Sequence, residues 1–191
     1  MHLRSSQVRG IPVIDDGTQQ TVGFLDSPLI DPDTGRIIGF FVLSTTMGGG
    51  EVFLQSLDIA AWGTRVHVRS GDCLSPPEEL IRLQSLLSDP RRLLGQVIRT
   101  KDTKRSLGIC GDVQFNTRHF LAEWIFPRRF FISRQPLPIS DVLEVTPEAI
   151  WVRDPVRPIR AEVPKEKEET VGSVLPDVVP TVQTRKTRLK H

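Results

Sequence analysis

The residues of this chain that could do chemistry are few and scattered. Asp31, Asp33 and Gly35 open with the spacing of a calcium loop, in which alternate side chains supply oxygen ligands. The later oxygens and the closing bidentate Glu are missing, so the stretch reads as a turn. Thr46 to Gly50 is glycine-rich, but no Gly-Lys-Ser/Thr follows and no helix begins there, which removes the phosphate-cradling reading and leaves a flexible hairpin tip. His2, His67, His119 and His191 stand apart from any Ser or Cys in a nucleophile setting, and surface or strand roles are expected for them. The two cysteines, Cys73 and Cys110, fit neither a disulfide framework nor a zinc spacing and are expected as reduced thiols. No catalytic constellation, metal site or cofactor site emerges, so the expectation is a non-enzymatic protein with no cofactor and no small-molecule substrate.

Two stretches are better suited to binding. In Trp124-Ile125-Phe126-Pro127-Arg128-Arg129-Phe130-Phe131 a double arginine, expected at a hairpin tip, is flanked by aromatics. Arginine with aromatics is what protein interfaces favour, and the same groups suit phosphate and base contacts. Trp124, Phe126, Arg128, Arg129 and Phe130 are therefore the candidate partner-binding residues. The second stretch is the basic end of the chain, where Arg185, Lys186, Arg188 and Lys190 are candidates for RNA or an anionic membrane surface.

These residues must be positioned by strands. Glycine and proline are frequent among the 191 residues, the net charge is only +2, and no apolar run is long enough to cross a bilayer. A cytoplasmic, soluble protein is expected. Extended segments are read at Gln7–Ile14, Thr21–Ile30, Ile37–Leu43, Glu51–Gln55 and Arg65–Val68. Asp15-Asp16-Gly17 and Asp31-Pro32-Asp33-Thr34-Gly35 supply turns between them, and Pro28 calls for a bulge or an edge. Ser75-Pro76-Pro77-Glu78 has the form of a capping box, and Leu80, Leu83 and Leu87 follow at helical spacing, so one helix is expected there.

The chain then repeats itself. Gly10 and Gly23 lie thirteen residues apart, as do Gly95 and Gly108, and Gly108–Asn116 answers Gly23–Asp31. Phe120–Phe126 is matched with Ile37–Leu43 and Ile150–Val152 with Val66–Val68, at offsets of 83 and 84, and Phe130–Ile132 is matched with Glu51–Gln55. This pattern of a glycine-led strand, an acidic position, a turn, an apolar strand and an h-x-D-h turn resembles the PRC-barrel. That domain occurs in the cytoplasmic part of the photosynthetic reaction-centre H subunit and in the C-terminal half of the ribosome maturation factor. Asp112 takes the family's acidic position in the second copy, whereas the first copy has Ser27 followed by Pro28.

The resemblance implies an all-β fold of two tandem small PRC-type β-barrels joined by one α-helix. The first barrel spans 1–72, the linker helix 73–91 and the second barrel 92–155. The Pro-, Lys-, Glu- and Val-rich stretch 156–191 reads as a disordered tail. Family members dock onto larger assemblies, so the resemblance also implies an adaptor with a protein partner. RNA or ribosome association and a peripheral membrane or photosynthetic-complex role are the alternatives.

Overall fold

The computed structural model describes residues 1–45, 48–129, 132–133 and 135–154. All of the described residues belong to one compact unit, Met1–Pro155. The fold of this unit is all-β. Its strands are β1 (His2–Arg4), β2 (Pro12–Asp15), β3 (Thr21–Ile30), β4 (Ile37–Ser44), β5 (Glu51–Gln55), β6 (Ile59–Trp62) and β7 (Val66–Val68). After a connecting segment come β8 (Val97–Thr100), β9 (Ser106–Asn116), β10 (Leu121–Arg129), β11 (Ile132–Ser133), β12 (Leu137–Pro138), β13 (Val142–Val145) and β14 (Ile150–Val152).

The strands make two sheets of the same order. One runs β5-β4-β3-β2-β7-β6, and the other β11-β10-β9-β8-β14-β13, with β1 added to β9 and β12 to β10. Each sheet has one parallel pair among antiparallel ones, β2 with β7 and β14 with β8. The register repeats as well. Phe24 opposite Leu43 becomes Ile109 opposite Arg128, and Ile30 opposite Ile37 becomes Phe115 opposite Ala122, all 85 positions on. The bulged residues Val22, Asp26, Ile38 and Ala60 recur as Leu107, Gly111, Glu123 and Leu143.

This register corrects two of the expected matches. Ile37–Leu43 answers Ala122–Arg128 rather than Phe120–Phe126. The counterpart of β5 is divided between β11 and β12, and does not begin at Phe130. A slip of two residues keeps every side chain on its own face, so alternation of apolar residues could not detect it.

Local chemistry explains the corners. Gly10 and Gly95 take φ values of 85° and 82°, and each donates its N–H to a carbonyl two strands on, Leu25 of β3 and Cys110 of β9 respectively. At the first turn the left-handed residue is Gln19 at φ 58°, not Gly17, with Lys104 at φ 55° in the second copy. The Asp15 carboxylate caps that first turn, accepting the N–H of Gly17 at 2.7 Å and of Gly71 at 2.9 Å. In the second copy Asp154 does the work from the other strand, accepting from Asp102 N–H at 2.9 Å. Pro28 lies beyond Phe24, where the ladder of β3 with β2 ends, so it pairs with β4 alone, opposite Phe40.

The expected helix over 75–87 is not formed. Ser75 pairs with Phe53 in an isolated bridge, short 3-10 turns cover Pro77–Glu79 and Ile81–Leu83, and only α1 (Gln84–Leu87) is α-helical. The break falls at Leu80, whose ψ of 66° lies outside the helical region and separates the two 3-10 turns.

The two sheets share one hydrophobic core. Val8, Val13, Leu25, Phe40 and Val66 from the first copy cluster with Ile98, Val113, Phe115, Ile125 and Ile150 from the second. Phe40 and Trp62 meet Phe115 and Phe120 there, with the Phe40 ring 5.0 Å from Trp62 and 6.0 Å from Phe115. Tilted and edge-on rings at these distances gain something beyond simple burial. Arg91 adds a polar tie between the copies, its guanidinium reaching both Asp33 at 2.6 Å and Asp89 at 2.8 Å.

A candidate docking face on the second sheet

Strand β10 carries most of the candidate residues. Ala122, Ile125 and Pro127 point into the core, while Trp124, Phe126 and Arg128 lie on the outer face. Trp124 is 39% exposed and Phe126 is partly covered. Arg128 and Arg129 flank the expected hairpin tip, beside the reversal into β11. They are the last residues of β10, paired with Ser133 and Ile132. Phe130, Arg185, Lys186, Arg188 and Lys190 lie outside the described residues.

A groove crosses this face, lined by Arg4, Ser6, Gly111, Asp112, Phe126, Arg128 and Pro136. Strand β1, which the sequence did not reveal, places Arg4 opposite Gln114 of β9. From there its guanidinium lies 4.1 Å from the centre of the Phe126 ring. Gly111 forms an open part of the floor, and a Cβ there would come within 3.0 Å of Arg128 Cβ. In the first copy the same bulge position holds Asp26, tied to Arg9 at 2.8 Å.

The acidic position Asp112 is a structural anchor. Its carboxylate accepts the Ser6 hydroxyl at 2.6 Å, the Ser6 N–H at 3.1 Å and the Val113 N–H at 2.9 Å, as well as the Ser5 hydroxyl. Those bonds fasten the N-terminal segment to β9. With one carboxylate so engaged and two guanidiniums beside it, the groove lining has a formal charge of +1 (Arg4 and Arg128 against Asp112).

Sequence reading missed a second outward aromatic. Trp151 of β14 is half-buried, and the Lys104 ammonium stands 4.7 Å and the Lys101 ammonium 5.7 Å from its ring centre. Arg99 is its register partner on β8, and Glu144 pairs with Lys101 at 3.1 Å. The signal in the sequence was the basic turn Arg99–Arg105 one parallel strand away, a proximity that only topology creates.

The remaining candidates have other partners. Asp31 accepts the N–H of Asp33 and the Thr34 hydroxyl, so it closes its own turn, and Asp33 binds Arg91. Asn116 does the same work in the second copy, accepting from Arg118 N–H at 2.9 Å. His67 contacts Asp16 at 2.8 Å and His2 contacts Glu123 at 3.1 Å. Cys110 is fully buried and Cys73 partly so, and both are free thiols. Burial raises Cys73 to about 11 and Cys110 to about 12. Among the described residues no group of His, Cys, Asp or Glu could hold a metal, and no helix is long and apolar enough to cross a membrane.

No family model matches the chain, and no curated protein matches it in sequence.

Proposed function

We propose that this protein is a non-catalytic adaptor built of two PRC-barrel-type units, which docks onto a larger protein assembly through the outer face of β10. The observation that carries this reading is the groove at Gly111, lined by Arg128 and by Phe126 with the Arg4 guanidinium over its ring. Arginine and aromatic side chains concentrate binding energy when a partner excludes water from them. A positive lining selects an acidic segment and speeds its encounter. Among the described residues, Asp15 and Asp154 close turns, Asp89 pairs with Arg91 and Cys110 is buried, which supports binding over turnover.

Affinity capture from the native cell tests the proposal. A protein partner retained by the parent chain should fall at least tenfold with Arg128→Glu and with Phe126→Ala, while both variants keep the parent circular dichroism. Equal retention by both variants would remove the groove from the interface. A reproducible turnover abolished by a single polar substitution would overturn the non-catalytic reading.

The second reading is an RNA- or ribosome-associated factor, favoured by Trp151 with Lys101, Lys104 and Arg99 around it. Cations beside an aromatic ring suit a single strand, and binding would weaken steeply with salt. Lys104→Glu should then reduce oligonucleotide retention at low salt, whereas Arg128→Glu at the groove should leave it closer to the parent value.

A further inference from the structure

The two halves of the compact unit contact each other by exchange. Ile37 N–H donates to the Phe120 carbonyl at 2.8 Å, and Ala122 N–H donates to the Gly35 carbonyl at 2.8 Å. Between these bonds Arg36 and Leu121 face each other in an isolated antiparallel bridge. Phe120, Leu121 and Ala122 are the residues 85 positions beyond Gly35, Arg36 and Ile37, the same offset that relates the ladders. Each half thus offers the other the same three residues. Such a reciprocal contact is the mark of a two-fold, isologous interface.

The entering segments repeat the exchange. Ser5 donates its hydroxyl to Asp112 of the second half and accepts the Val113 N–H at 3.2 Å. Its counterpart segment, Arg92–Leu94, lines a depression with Pro28, Leu29 and Ile30 of the first half. Val8 and Leu93, again 85 apart, are 0% and 3% exposed within the shared core.

The centre of the interface departs from symmetry. Phe40, Trp62, Phe115 and Phe120 converge there, two from each half. By register their counterparts are Ile125, Val145, Ile30 and Gly35, each smaller than the aromatic it answers. One half meeting a second copy of itself would set Phe40 and Trp62 against Ile30 and Gly35, leaving space that Phe115 and Phe120 now fill. The ring cluster is complete only when Phe40 and Trp62 of one half meet Phe115 and Phe120 of the other.

We infer that the compact unit is a fused pseudo-two-fold dimer whose halves are specialised to pair with each other, and that this pairing persists without the covalent connection. A protease site placed between Glu78 and Glu79, both exposed in the connecting segment, tests it in the full-length chain. After cleavage the two pieces should elute together as a 1:1 species of the parent mass, with the parent near-ultraviolet circular dichroism. Pieces that separate under native conditions, or a fold lost on cleavage, would overturn the inference.

Co-expression of 1–78 and 79–191 with an affinity tag on one piece reads the same pairing if the site resists cutting. The untagged piece should be retained in equal amount, and failure to retain it counts against the inference. Competition settles the specificity. When an untagged second supply of the tagged piece is co-expressed as well, the tagged piece should retain its complement at least tenfold over its own kind. Equal retention of both would show a pairing that does not discriminate.

Discussion

Gly39 and Trp124 hold the same place in the two sheets. Gly39 lies opposite Leu29 and Gln55, and Trp124 lies opposite Gln114 and Pro138, 85 positions on in β9 and 83 on in the edge strand. One position has therefore been emptied and the other filled with the largest side chain. The neighbours explain the difference. A Cβ at Gly39 would stand 2.3 Å from the Leu54 carbonyl oxygen and 2.5 Å from Phe53 Cζ. The fully buried Phe53 ring occupies that space, edge-on to Phe41 at 5.3 Å. At Trp124 the side chain goes outward to the docking face.

Gly39→Ala should consequently destabilise the protein by about 1–3 kcal/mol, the usual cost of forcing an atom into a filled core. Gly63→Ala is the control, since a Cβ there meets nothing within 4 Å. Chemical denaturation of both variants checks the contrast. Equal stability of the two would mean that Phe53 yields readily.

Phe40→Ala should cost about 3–5 kcal/mol, as expected for a large buried aromatic. The Phe40 ring touches Trp62 of its own half and Phe115 and Phe120 of the other. Fluorescence and far-ultraviolet circular dichroism should therefore give one coincident, displaced transition. Two separated transitions would show that the halves unfold independently.

Acid should weaken the first turn before the core fails. Asp15 is only 8% exposed. Its carboxyl titrates below the ordinary 3.8 chiefly because the Gly71 N–H donates to it, with help from Thr18 and Gly17. A group whose pKa falls on folding stabilises the folded state above its unfolded value and loses that contribution as pH falls through the folded value. Asp154 acts in the same direction, held mainly by the Thr103 hydroxyl. Asp15→Asn should lower the urea midpoint at pH 7 and flatten its fall below about pH 4. An unchanged acid limb would remove Asp15 from that role.

Neither thiol should be reactive in the folded protein. With Cys73 raised to about 11 and Cys110 to about 12, the thiolate fraction at pH 8 is small, and Cys110 is also closed to reagents. Thiol titration should be slow in native buffer, with Cys73 reacting before Cys110, and rapid at both in denaturant. Fast native labelling of Cys110 would show that β9 opens readily.

Much of this fold was legible in the chain alone. Glycines thirteen apart, turn residues at Asp31 and Asn116, and alternating apolar runs follow from backbone sterics and burial, which act locally and leave their mark residue by residue. They established an all-β chain and the internal repeat, and they offered Trp124, Phe126, Arg128, Arg129 and Phe130 as candidate residues; tertiary structure showed which of these lie on an outer face. Tertiary structure decided what depends on meetings between distant segments. It set the offset of β10 at 85, because alternation is blind to a two-residue slip. It broke the expected helix at Leu80 and paired Ser75 with Phe53. It brought Arg4 to Phe126 and Lys104 to Trp151, and joined the halves at Arg36 and Leu121. No local rule encodes those contacts, since each depends on where the rest of the chain has already gone.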